Sequence, residues 1–169
     1  MKKLKLGVSS CLLGESVRYN GEHKRDSTVI DLLGQQFEAV PVCPEVELGM
    51  GVPREPVRLM ANDASSERMV GSESGKDWTQ AMVDFNSIKL EALRQQNLSG
   101  FIFKSRSPSC GPGNVPLHHE QEKSSTVGLF AHALMQYFPS LPVIDEEALQ
   151  DEIVRQDFVA RVIQYGEKV

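Results

Sequence analysis

A chain of 169 residues is the usual size of one domain and long enough to bury about two thirds of its unfolded surface. With 40% apolar and 24% charged residues and a formal charge of −5, the chain reads as globular. It lacks the basic excess that a duplex nucleic-acid binder needs to displace counterions from phosphates. A long RNA partner is disfavoured on the same ground, whereas a nucleobase or nucleotide is not. Lys2, Lys3 and the segment ending VSSC at Cys11 have the outline of a lipoprotein signal. Lys5, Ser9 and Ser10 interrupt the apolar core that such a signal requires. No other run approaches the roughly 20 apolar residues of a membrane span. The expectation is a soluble cytoplasmic protein without a membrane or DNA partner.

Leu4, Leu6 and Val8 alternate with Lys3, Lys5 and Gly7, which predicts a strand over residues 3–10. A short helix begins near Ser27, and Phe37 to Val42 reads as a second strand. Residues 53–76 hold prolines, glycines and serines and read as an irregular excursion, with a small hairpin pairing Val57–Ala61 and Arg68–Gly71. Trp78, Ala81, Met82, Phe85, Ile88 and Ala92 recur at three and four residues, so 77–96 forms an amphipathic helix with Asp77 at its positive end. Gly100 to Phe103 is a third strand. A helix over 127–138 has Thr126 as its expected N-cap and Pro139 as its stop. Pro142-Val143-Ile144 is a fourth strand, and residues 146–165 give one or two helices. Strands alternating with helices imply an α/β fold, with a mostly parallel sheet covered by helices on both faces in a Rossmann-like three-layer arrangement. No linker or repeat divides the chain, so residues 1–169 are expected to form one domain.

An odd count of three cysteines is not a disulfide framework, and a free thiol often packs merely as a small hydrophobe. Here Cys11 follows the first strand, Cys43 closes the second, and Cys110 lies on the loop after the Phe101–Phe103 strand. Open α/β sheets bind ligands in the crevice beyond the carboxyl ends of their strands. The three thiols are therefore expected to meet there.

Each loop adds chemistry to its cysteine. The first, SSCLLGESVRYNGEHKRD, has no GxGxxG fingerprint but carries Arg18, Tyr19, His23, Lys24 and Arg25 as a cationic lip. In the second, VCPEVELGMGVPREP, Glu45 stands two residues from the thiol, well placed for proton transfer. The third, FIFKSRSPSCGPG, offers Lys104, Arg106 and the hydroxyls of Ser105, Ser107 and Ser109, suited to an anionic cluster or substrate. His118 and His119 are candidates for a fourth ligand or a proton shuttle, although adjacent histidines in a polar loop are more often surface residues. Three dispersed thiols fit structural zinc poorly, since the paired C-x-x-C spacing is missing. A cubane iron–sulfur cluster bound by three thiolates leaves one iron open as a Lewis acid, whereas a nucleophilic-cysteine enzyme needs only one thiol and a base.

The three blocks SSCLLGESVRYNGEHKRD, VCPEVELGMGVPREP and FIFKSRSPSCG closely resemble the thiouracil desulfurase (TudS) family over nearly the whole chain. The resemblance implies a compact α/β fold, a [4Fe-4S] cluster on Cys11, Cys43 and Cys110, and conversion of 2- or 4-thiouracil to uracil and sulfide. The open iron would accept the substrate sulfur in a reaction without net electron transfer. Glu45 matches a family catalytic residue. A serine of the third loop matches another; Ser105 is the choice here, with Ser107 and Ser109 as competitors. Ser107, Ser109, Lys104 and Arg25 are candidates for substrate binding. Two other readings stay open: a non-catalytic metal protein, such as a redox sensor or sulfur carrier, and desulfuration of thiolated nucleosides, nucleotides or tRNA.

Overall fold

The computed structural model describes residues 2–61, 66–119 and 123–169, without the side chain of Lys123. Four parallel strands form the main sheet: β1 (Leu4–Ser9), β2 (Phe37–Val42), β5 (Leu98–Phe103) and β8 (Val143–Asp145), in the order β2-β1-β5-β8. Every residue of β5 is buried, as expected of a strand covered on both faces. One face carries α1 (Ser27–Gln36) and α5 (Glu152–Gly166), whose Val29, Leu33, Phe158 and Val162 pack with Leu6, Val8, Ile102 and Ile144. The other face carries α3 (Thr79–Arg94) and α4 (Leu129–Tyr137), packed through Leu90, Leu93, Phe130 and Leu134 on Phe101 and Phe103. This is the expected three-layer α/β arrangement.

Strand β1 can sit beside Phe101 because its partner position is a glycine. Gly7 is in register with Phe101, and a Cβ there would stand 2.2 Å from the ring. Phe101 stacks on Phe103 with centroids 4.3 Å apart, and Phe130 meets both rings edge-on. Full burial of one such side chain stabilises the fold by about 1.5–3 kcal/mol, so this aromatic group anchors the sheet to α4.

A second, mixed sheet extends the apolar core beyond α3. Its order is β4-β3-β6-β7, from β3 (Val57–Ala61), β4 (Glu67–Gly71), β6 (Val115–His118) and β7 (Lys123–Thr126). The predicted hairpin is the antiparallel β3–β4 pair. Its partner hairpin, β6–β7, was not expected from sequence and joins β3 through a parallel β3–β6 pairing. Leu59, Met69 and Val115 pack into the same cluster as Phe101 and Phe103.

One local expectation is corrected. Thr126 does not cap α4: it ends β7, where its hydroxyl donates to Glu67, and the cap position is Gly128. Pairing with β6 holds Thr126 in extended backbone, two residues short of the helix. Residues 146–165 divide into a 3₁₀ turn, Ala148–Gln150, and α5, whose first N–H groups are capped by Asp151. Asp77 does serve the start of α3, accepting the Thr79 N–H at 2.9 Å. Among the described residues, no helix is long and apolar enough to cross a membrane.

Candidate active site

The parallel sheet sets where the site forms. All four strands end on one side, and the chain runs from β1 outward to β2 on one flank while β5 pairs on the other. Loops leaving β1 and β5 therefore diverge and open a crevice at the strand ends. A cavity of ≈ 410 Å³ lies there, within the size range of small-molecule sites. Cys11, Cys43 and Cys110 all line it, as do Glu45, Lys104, Ser105, Ser107 and Ser109.

Each cysteine is fixed by its own short backbone device. Cys11 sits in a 3₁₀ turn, Ser10–Leu13, directly after β1. Gly14 stops that turn at φ 92°, a left-handed conformation that a glycine adopts without steric cost. The Cys11 carbonyl accepts N–H groups from Gly14 and Lys24, which folds the first loop back over the turn. Cys43 is the N-cap of α2 (Pro44–Glu47), with Pro44 at the first helical position where its missing N–H costs nothing. Glu47 reaches back to accept the Cys43 N–H at 2.9 Å and is held in turn by Lys89 of α3 at 2.6 Å.

Cys110 is gripped from α4. Phe130 and Ala131 donate their N–H groups to the Ser109 carbonyl at 3.0 Å, and Leu129 donates to Pro108. The third loop thus occupies the free N–H groups at the start of that helix. The approach is close enough that a Cβ on Gly128 would stand 2.6 Å from the Ser109 carbonyl oxygen. Ser107 Oγ accepts the Cys110 N–H at 3.1 Å, tightening the turn around the thiol.

Cys11 and Cys110 are buried, Cys43 is half-buried, and all three are free thiols. Burial pushes the Cys11 thiol up to about 11, with Lys104 pulling the other way and Cys43 adding to the rise. Burial also raises Cys43, against an N–H from Val46, and Cys110, against the Ser9 hydroxyl. Each of these two thiols feels charge from another cysteine or a glutamate nearby, and Cys110 feels both other thiols. Among the described residues, no three His, Cys, Asp or Glu side chains surround one point closely enough for a single metal ion. A cubane places each thiolate on a different iron, so its ligands stand further apart than those of a lone ion. A soft all-sulfur donor set lining one cavity suits that group and fits a mononuclear zinc site poorly.

Glu45 joins the second and third loops. Its Oε2 accepts the Ser109 hydroxyl at 2.8 Å and its Oε1 the Arg54 Nε–H at 3.3 Å. The Ser109 hydroxyl is also 3.1 Å from that of Ser107. Ser105 belongs to a different group. Its N–H and hydroxyl donate to Glu146 at 2.7 and 2.8 Å, and its Oγ accepts from Lys104 at 3.0 Å. Lys104 pairs with Glu146 at 2.6 Å, and both side chains are largely buried. Burial by itself would raise the Glu146 carboxyl, but Lys104 and the Ser105 donors overrule it and hold the group below the ordinary glutamate value.

Other candidates fall outside this grouping. Arg18, Tyr19 and Lys24 of the expected cationic lip line the cavity, but Arg25 does not; its side chain lies over Gly14. His118 ends β6 and His119 bonds Ser124 in the second sheet, so neither lines the cavity. Sequence reasoning passed over Arg54 and Glu146. Arg54 stands between Pro53 and Pro56 in an irregular loop, while Glu146 follows a three-residue strand with no motif around it.

Comparison with known proteins places the chain in a family. A family model described as 2-thiouracil desulfurase matches residues 6–146. The chain is 34% identical over 112 residues to YbbK, an uncharacterised protein of Bacillus subtilis (strain 168), covering 64% of this chain and 74% of that one. Among solved structures it is similar to a [4Fe-4S]-dependent thiouracil desulfidase, TudS. That match has a TM-score of 0.66 and 32% identity over 88% of this chain and 94% of the other. The chain belongs to the 2-thiouracil desulfurase family.

Proposed function

We propose that the protein desulfurates thiolated pyrimidines, converting 2- or 4-thiouracil to uracil plus sulfide, with a [4Fe-4S] cluster held by Cys11, Cys43 and Cys110. The observation that carries this reading is that three free cysteines from three strand-end loops line one cavity together with Glu45. Family membership and the similarity to a [4Fe-4S]-dependent desulfidase support it. Bound by three thiolates, such a cluster supplies a thiophilic Lewis acid with one iron free of protein ligands.

The protein's own residues supply the rest. Glu45 faces the cavity and takes the proton of a water that attacks the thiocarbonyl carbon. Ser109 and Arg54 each hold one of the two oxygens of that carboxylate. Lys104, neutralised by Glu146, fixes Ser105 and the start of the third loop along the cavity wall. Water provides the oxygen of uracil, sulfur departs as sulfide, and no electrons are exchanged.

Protein purified without oxygen should release one sulfide for each uracil formed from thiouracil. A cluster-loaded protein that turns over no thiolated base would instead be a redox sensor or sulfur carrier. Faster turnover of a thiolated nucleoside, nucleotide or tRNA than of the free base would move the substrate to that class.

A further inference from the structure

We propose that Arg54 is a positioning residue of the reaction, acting through Glu45; the inference rests on the role given to Glu45 above. Arg54 lines the cavity, yet its side chain is only 8% exposed and is committed to the protein. Nε donates to Glu45 Oε1 at 3.3 Å, one terminal nitrogen to the Gly51 carbonyl at 2.8 Å, and the other to the Val17 carbonyl at 2.9 Å. Its main-chain N–H donates to Tyr19 at 2.7 Å. Arg54 therefore ties the loop carrying Cys11 to the loop carrying Cys43, and from that seam it aims Glu45 at the cavity.

The chemistry calls for arginine. A planar guanidinium serves three acceptors in fixed directions, whereas a lysine ammonium is a point charge on a flexible stem. With the Nε–H donor gone, Glu45 keeps only the Ser109 hydroxyl and turns about that single bond. The carboxylate then loses its set angle to the water it deprotonates, which lowers kcat without changing how substrate is held.

The test uses Arg54→Gln and Arg54→Lys, each alone and with Glu45→Gln, purified without oxygen. Iron content, thermal midpoint, kcat and KM for thiouracil are measured for each. Arg54→Gln should keep its iron and KM and lose kcat by about 10–100-fold, the usual cost of removing a group that orients a functional one. Arg54→Lys should fall between it and the parent. In the Glu45→Gln background neither change should lower the residual rate further, because both act through the same carboxylate. Should Arg54→Gln fail to fold, Arg54→Lys decides: a parental kcat overturns the proposal. Iron lost in step with activity, a rise in KM at constant kcat, or a full further loss in the Glu45→Gln background would also overturn it. A fully active Glu45→Gln protein would remove the reading on which the proposal rests. Loss of activity in Glu45→Gln but not in Arg54→Gln would remove the proposal alone.

Discussion

The Ser109 hydroxyl donates to Glu45 across 2.8 Å, joining residues 64 positions apart and linking the loops of Cys43 and Cys110. Ser109 is almost wholly buried, so this bond is shielded from competing water. A hydrogen bond to a charged group contributes about 1.5–3 kcal/mol. Ser109→Ala should therefore cost about tenfold or more in kcat with iron content unchanged. Parental kinetics in this variant would detach Ser109 from the proton-handling group, and a large loss in Ser105→Ala alone would transfer the role to that serine.

The Lys104–Glu146 pair gives an acid-side prediction. Burial works to raise the Glu146 carboxyl, but Lys104 and the two Ser105 donors leave its folded value below the ordinary 4.5. The unfolded chain takes up that proton first as pH falls. The pair's contribution is then fully present above the ordinary value and is lost as pH drops through the lowered folded one. Glu146→Gln should flatten this part of the stability profile, measured by urea unfolding at several pH values between about 6 and 3. At neutral pH it should cost about 3 kcal/mol, the lower end for breaking a buried pair, because Lys104 is left 16% exposed without its partner. An unchanged acid limb in Glu146→Gln would mean that the pair does not carry it.

Gly128 links packing to the site. A Cβ there would press on the main chain of Ser109 and Gly111, which cannot yield as a flexible side chain would. Gly128→Ala should destabilise the fold by about 1–3 kcal/mol, as overpacking usually does. It should also lower kcat, because the displaced backbone carries Ser109 away from Glu45. A thermal midpoint and kcat matching the parent would show that the third loop shifts freely, contrary to the grip described for α4.

Most of the main sheet is readable from the sequence because its strands are apolar runs and its helices repeat at three and four residues. Strand β2 and the β3–β4 hairpin fall where the pattern places them, and α3 is shorter than expected by two residues at each end. The β6–β7 hairpin gives no such signal. Lys-Ser-Ser-Thr is polar throughout and Pro116 interrupts the other strand, so pairing across the sheet makes these strands, not an apolar face. The shared cavity of the cysteines follows from their position after parallel strands, a topological argument that needs no local pattern. Glu146 has no such signal because its partner Lys104 lies on a distant segment, and Arg54 has none because its pairing with Glu45 is made within an irregular loop of no fixed period. Arg25 lies off the cavity because nearness in sequence to Cys11 does not fix the direction of a side chain.

The central claim is that Cys11, Cys43 and Cys110 together hold an iron–sulfur cluster. The most direct test is iron and acid-labile sulfide content, with a visible spectrum, on protein purified without oxygen, beside the three single Cys→Ala variants. About four iron and four sulfide per chain, lost in each variant, is the predicted result. Zinc, or no metal even after anaerobic reconstitution, would contradict it and leave a thiol enzyme or a structural site.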